Sequence, residues 1–265
     1  MMMMQLSFSD RPICARDLVL SAVATVTFCA TFFSAGGSMA AEIKLLAGDA
    51  LKSAITELTP EFQRSSGHKV TMDFASALPL KRRIDAGETF DTVIAPGVVD
   101  DLIKQGKIAE NTRTLIARTR LAVGVHKGAP KPDITSVDAL KRTLLNAKSV
   151  GNNPESEAST QFLAILDRLG IAQDVRPKLK DYQTSTEMGA ALEKREVDIV
   201  VSAITSLIGT PMIDFVGFPS EIQRFDIVAG VSATTKEPEA AKDLLRFLLS
   251  PAATSVFRAK GFERD

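Results

Sequence analysis

The stretch Ile43-Lys44-Leu45-Leu46-Ala47-Gly48-Asp49-Ala50-Leu51 constrains this chain more than any other. A short apolar run breaks at Gly48-Asp49 and resumes as Leu51, Ile55, Leu58 and Phe62, spaced four, three and four apart. A continuous apolar run suits a strand buried on both faces, while the second spacing is that of a helix with one apolar stripe. The pattern then repeats. Residues 69–74 read as a strand, Ala75-Ser76-Ala77-Leu78 as a small-residue turn, and Pro79, Leu80 and Ile84 as a helix whose first turn accepts the proline. Residues 92–95 give a third buried strand, followed by a helix carrying Val98, Val99, Leu102 and Ile103 and closed by Gly106. Such alternation predicts parallel strands joined by right-handed helical crossovers.

A second series of the same kind begins after "RTRLAVGVHKGAPKP", which starts at Arg118. Ser136 suits the cap of a helix bearing Val137, Leu140 and Leu144. Ser149-Val150 reads as a short strand, "GNNPESEAST" as a polar turn, and Phe162, Ile165, Leu166 and Leu169 as a stripe closed by Gly170. Residues 198–204 form a central strand. The later segment "RFDIVAGVSA" is similar to "RTRLAVGVHKG", so one reads as the crossing into a second lobe and the other as the return. The fold class expected is α/β: two doubly wound lobes joined by two crossing strands, with a ligand cleft between them. The first lobe takes residues 41–118, the second 119–226, and residues 227–265 return to the first with closing helices.

Residues 1–40 read differently. Arg11 and Arg16 precede an apolar segment from 18 to 33, and small residues follow up to Ala40. These are the parts of a secretory signal peptide cut near Ala40, which implies export to the periplasm. The apolar segment is short for a membrane span. Cys14 and Cys29 both fall within residues 1–40, so the mature portion is expected to have neither a disulfide framework nor thiol chemistry. The chain carries 32 Lys and Arg against 32 Asp and Glu, interleaved, which gives no support for a nucleic acid or an anionic membrane as partner.

The segment from "EIKLLAGDALKSAITELTPEF" to "VTMDFASALPLKRRIDAGETFDTVIAP" resembles the first lobe of the periplasmic molybdate-binding proteins of ABC transporters. The similarity continues through "NPESEASTQFLAILDRLGI", "ALEKREVDIVVS" and "PEAAKDLLRFLLSPAATSVFRAKGFE". It implies a type II periplasmic binding fold, a monomeric receptor that closes on a small solute and hands it to a membrane permease, and no cofactor. That family holds tetrahedral oxyanions by backbone amides and hydroxyls. Carried over, the ligand-binding positions are Asp49, Ala50, Ser76, Ala77, Ala158, Ser159, Ser185 and Ser202. Three hydroxyls of the family pattern are missing: Ala50 and Ala77 stand where hydroxyls are expected, and Ala203 where a tyrosine is. Each loss removes about 1 kcal/mol or more, so the resemblance predicts the transport class with an altered solute specificity.

Other readings compete at single residues. An acidic residue such as Asp49 at a helix start is commonly a cap, and Lys81-Arg82-Arg83 is commonly a solvated face. Ser159 and Thr160 can each cap the Phe162 helix. Tyr182 suits half-buried packing, and neither His68 nor His126 stands among metal-ligating neighbours. No nucleophile elbow, phosphate loop, dinucleotide fingerprint or zinc pair is present, so no enzyme is expected. A hydrolase using Asp49 with Asp91 or Asp181, and a module that reports to a membrane sensor, are the alternatives.

Overall fold

A computed structural model describes residues 40–264. The expected signal peptide, but for Ala40, lies outside the described residues. The chain opens with β1 (Glu42–Gly48), α1 (Lys52–Ser66), β2 (Lys69–Ala75), α2 (Ala77–Asp85), β3 (Thr92–Ile94), α3 (Val99–Lys104) and β4 (Thr114–Thr119). There follow β5 (Leu121–His126), α4 (Val137–Asn146), β6 (Val150–Asn152), α5 (Glu157–Arg168), α6 (Ala172–Val175), β7 (Leu179–Asp181), α7 (Ser185–Glu193), β8 (Ile199–Ala203), α8 (Ile204–Leu207) and β9 (Ile213–Gly217). The last elements are β10 (Phe225–Val231), α9 (Pro238–Leu248) and α10 (Pro251–Ala259).

The strands form two sheets, ordered β2-β1-β3-β10-β4 and β7-β6-β8-β5-β9, with helices packed around them. This is the two-lobed α/β fold that the alternating pattern implies. The sheets are mixed, however, where parallel strands were expected. Strand β10 runs antiparallel to β3 and β4, and β5 runs antiparallel to β8 and β9. These strands follow a passage between the lobes and not a helical crossover, so nothing forces them to run parallel. The passages are also narrower than a whole crossing strand. The chain changes sheet at Arg120, between β4 and β5, and again over residues 218–224.

The apolar stripes lie where the spacing places them. Leu51, Ile55, Leu58 and Phe62 are all buried, so α1 covers the first sheet with its periodic face. Burial of one such side chain contributes about 1.5–3 kcal/mol, which is why this face and not local propensity fixes the helix. Gly67 ends α1 in the left-handed conformation at φ 77, which a side chain would oppose. Ser136 caps α4 by accepting the Ala139 amide. His68 is buried, and its Nδ1 accepts the Ala41 amide at 3.1 Å, which ties the chain start to the end of α1. Tyr182 is half-buried against the core under the second sheet.

Candidate functional site

The C-terminal ends of β1, β2, β6 and β8 all open into one cavity of about 310 Å³, walled by both lobes. Strand ends of this kind are the usual seat of ligands in open α/β sheets, because the following helix starts present free amides there. Each turn contributes a different group.

At the end of β1 the chain makes a short 3-10 turn, Asp49–Leu51, that leads into α1. Asp49 makes no side-chain cap there, contrary to the commoner role of an acidic residue in that place. Its carboxylate instead accepts a hydrogen bond from the Ser76 hydroxyl at 3.0 Å, from the turn after β2. The Asn153 amide nitrogen, from the second lobe, reaches Ser76 Oγ at 3.3 Å and the Gln183 carbonyl at 2.7 Å. Nearby, the Leu78 amide donates to the Glu155 carbonyl at 3.3 Å, and Arg82 pairs with the Glu155 carboxylate at 2.7 Å. Arg82 is therefore part of the join between the lobes, while its neighbours Lys81 and Arg83 pair with acids of their own lobe, Asp85, Glu88 and Asp73.

Helix α5 starts at the cleft. Ser156 is its cap and accepts the Ser159 amide at 3.2 Å, so the capping role falls to neither Ser159 nor Thr160. Ala158 lies on the cleft wall in the first turn, where amides lack intrahelical acceptors and the helix dipole is positive. Glu157 opens the same helix. Its Oε1 accepts from Gln161 at 2.7 Å, and burial pushes its pKa up against that stabilising bond. Helix α7 begins with a reciprocal cap: Thr184 Oγ1 accepts the Glu187 amide, and the Glu187 carboxylate accepts the Gln183 amide. That leaves Ser185, its first residue, on the cleft wall.

Seven of the eight sequence-predicted positions line the cavity: Asp49, Ala50, Ser76, Ala77, Ala158, Ser185 and Ser202. Ser159 sits behind the wall, fully buried, with its hydroxyl accepting from Asn152 at 2.9 Å. Ala203 also lines it, in the place of the missing tyrosine.

Among the wall residues not anticipated are Lys52, Thr119, Asn153 and Glu157. Thr119 ends β4, is 1% exposed, and its hydroxyl has no hydrogen-bond partner among the described residues. A buried hydroxyl without a partner costs free energy, and Thr119 carries that cost beside the cavity. Its position at a strand end, one residue before the passage between lobes, was the only signal in the sequence. Glu157 stood in a polar turn, one residue from a predicted contact.

Two relatives of different function match most of the chain, and one of them agrees with the resemblance. The chain is 24% identical over 245 residues to the molybdate-binding protein ModA of Escherichia coli (strain K12), covering 88% of this chain and 93% of that protein. It is 25% identical over 229 residues to an aconitate isomerase of Pseudomonas sp, covering 83% of this chain and 87% of that protein. Among solved structures, the Azotobacter vinelandii periplasmic molybdate-binding protein shares the fold with a TM-score of 0.69 at 15% identity, over 84% of this chain and 99% of that one. The family model described as bacterial extracellular solute-binding protein matches residues 43–263, and the chain belongs to that family.

Proposed function

We propose that this protein is the periplasmic receptor of an ABC transporter, closing its two lobes on a small anionic solute and delivering it to the membrane permease. The observation that carries this reading is the cleft itself. Strand ends and helix starts from both lobes converge on one cavity, and Asn153 already bridges to Ser76 across it. The lobes proposed are residues 41–118 with 227–265, and 119–226, with residues 1–40 removed on export. The polypeptide would work as a monomer without a cofactor, bending at Arg120 and at 218–224. Closure is driven by the greater affinity of the closed form for solute.

A thermal-shift screen tests this. A ligand present at 100 times its Kd and binding only the folded protein adds about 2.7 kcal/mol, or roughly 5–11 °C in Tm for a domain of this size. The reading expects such a rise with at least one oxyanion or organic acid, abolished when Ser202 and Lys52 are replaced. Absence of any rise across both classes would refute it.

One observation favours a second reading. Glu157 is a carboxyl held in the cleft with a raised pKa, the condition of a general acid or base. Together with the likeness to an aconitate isomerase, it suggests proton transfer on an unsaturated organic acid. Incubation of aconitate with the protein in D2O, followed by NMR, separates the two: the receptor reading expects no isomerisation and no deuterium uptake.

A further inference from the structure

The cavity is too large for the ligand that the fold suggests. A tetrahedral oxyanion has five heavy atoms and fills about the space of three or four waters, roughly 90–120 Å³ at about 30 Å³ each. The cavity holds about 310 Å³. More than half would remain for a solute of greater length.

The polar groups of the wall also divide into two kinds. Ser202, 5% exposed, and Lys52 supply donors. Glu157, as a carboxylate, supplies only acceptors. Its carboxylate lies against the other lobe so closely that a Cβ added at Gly97 would stand 2.1 Å from Oε2. The groups that face it there are few. Gln161 on its own helix donates one hydrogen bond, the Pro96-Gly97 turn carries no charge, and Asp49 and Lys52 are the other titratable groups on the cavity wall. A fully deprotonated oxyanion has only acceptors, so it can satisfy the donors but meets repulsion at Glu157 and at Asp49. A solute that carries a hydroxyl beside its carboxylates has a donor for the acidic wall and acceptors for the rest.

We propose that the cleft takes a small hydroxy-carboxylic acid, its carboxylates toward Ser202 and Lys52 and its hydroxyl donating to Glu157, which thereby excludes bare tetrahedral oxyanions. This rests on the receptor reading above.

Calorimetry on the purified protein tests it with two pairs that differ by one hydroxyl, malate against succinate and citrate against tricarballylate, and with sulfate and molybdate. The wild type should bind one hydroxy acid at least about 10-fold tighter than its partner and than either oxyanion, the scale of one hydrogen bond to a charged group. In Glu157→Gln that preference should fall about 10-fold and the oxyanions should gain. Equal binding within both pairs, or tighter binding of molybdate, overturns the proposal in the wild type alone, without need of a variant that folds. An unchanged ratio in a folded Glu157→Gln protein overturns the role of Glu157. If none of the six anions binds, the receptor reading falls and the proposal with it.

Discussion

The Ser76 hydroxyl donates to the Asp49 carboxylate at 3.0 Å, joining the turn after β2 to the turn after β1. Ser76 stands beside Ala77, the position where the family pattern expects a hydroxyl, and its proton points at an acid. The two residues thus work against oxyanion binding together, one by occupying the donor and the other by its charge. Replacing Asp49 by Ala releases Ser76 and removes the repulsion, which is worth about 1 kcal/mol at 4 Å in water and about 4 near a protein surface. Sulfate or molybdate affinity should rise at least about 10-fold by calorimetry. An unchanged affinity would show that the pair does not face the solute.

The pair of Arg82 with Glu155 spans the lobes from α2 to the turn before α5, beside the Leu78 amide bond to the same residue. Arg82 is largely exposed, so the pair contributes about 0.2–1 kcal/mol, in the range of surface ion pairs. Because this contact exists only when the lobes are together, its loss should speed solute release. Arg82→Ala is expected to raise koff about 1.5- to 5-fold at low salt, with a smaller effect at high salt, in stopped-flow measurements. A change confined to kon would contradict the latch.

Gly97 holds φ 76 opposite the Glu157 carboxylate, and both facts oppose any side chain. Gly97→Ala has to strain the backbone by about 1 kcal/mol or more and push Glu157 out of its place. It is expected to lower Tm by a few degrees and to alter solute selectivity in the same direction as Glu157→Gln. Loss of stability with selectivity intact would separate Gly97 from the site.

How far these features could be read from the sequence depends on their range. The strand and helix alternation is local, so β1, α1, β2 and α2 follow from the spacing of Leu51, Ile55, Leu58 and Phe62 and from the turn at Ser76. The cleft-lining positions came instead from the family resemblance, whose strand ends converge in the same way. The Asp49 role was not legible. A cap is a local expectation, whereas its actual partner lies 27 residues away and becomes a neighbour only when β1 pairs with β2. The direction of β10 was hidden likewise, because a strand returning from another lobe has the same apolar pattern either way. Thr119 shows a third limit. Its significance lies in a missing partner, and no sequence pattern records that.

Two carboxylates on this molecule should answer pH in opposite ways. Glu88 accepts from Arg83 and Lys44, and these partners hold its pKa down at about 2. A depressed pKa means that the folded form favours the charged carboxylate. Its stability is present above the unfolded pKa near 4.5 and is lost as pH falls toward 2. With solvent screening the contribution is about 1 kcal/mol, so Glu88→Gln should lower Tm at pH 7 and make no difference near pH 2. Glu157 is the reverse case, since burial raises its pKa. Its folded state favours the neutral acid, so it is least costly below the unfolded pKa and destabilises as pH rises through the raised value. Glu157→Gln should therefore raise the Tm of the ligand-free protein at pH 7, and the gain should shrink as pH falls below the normal glutamate range. Thermal melts of both variants across pH 3 to 8 check the two signs at once. A destabilising Glu157→Gln at pH 7 would mean that partners hold the charged form in the folded protein.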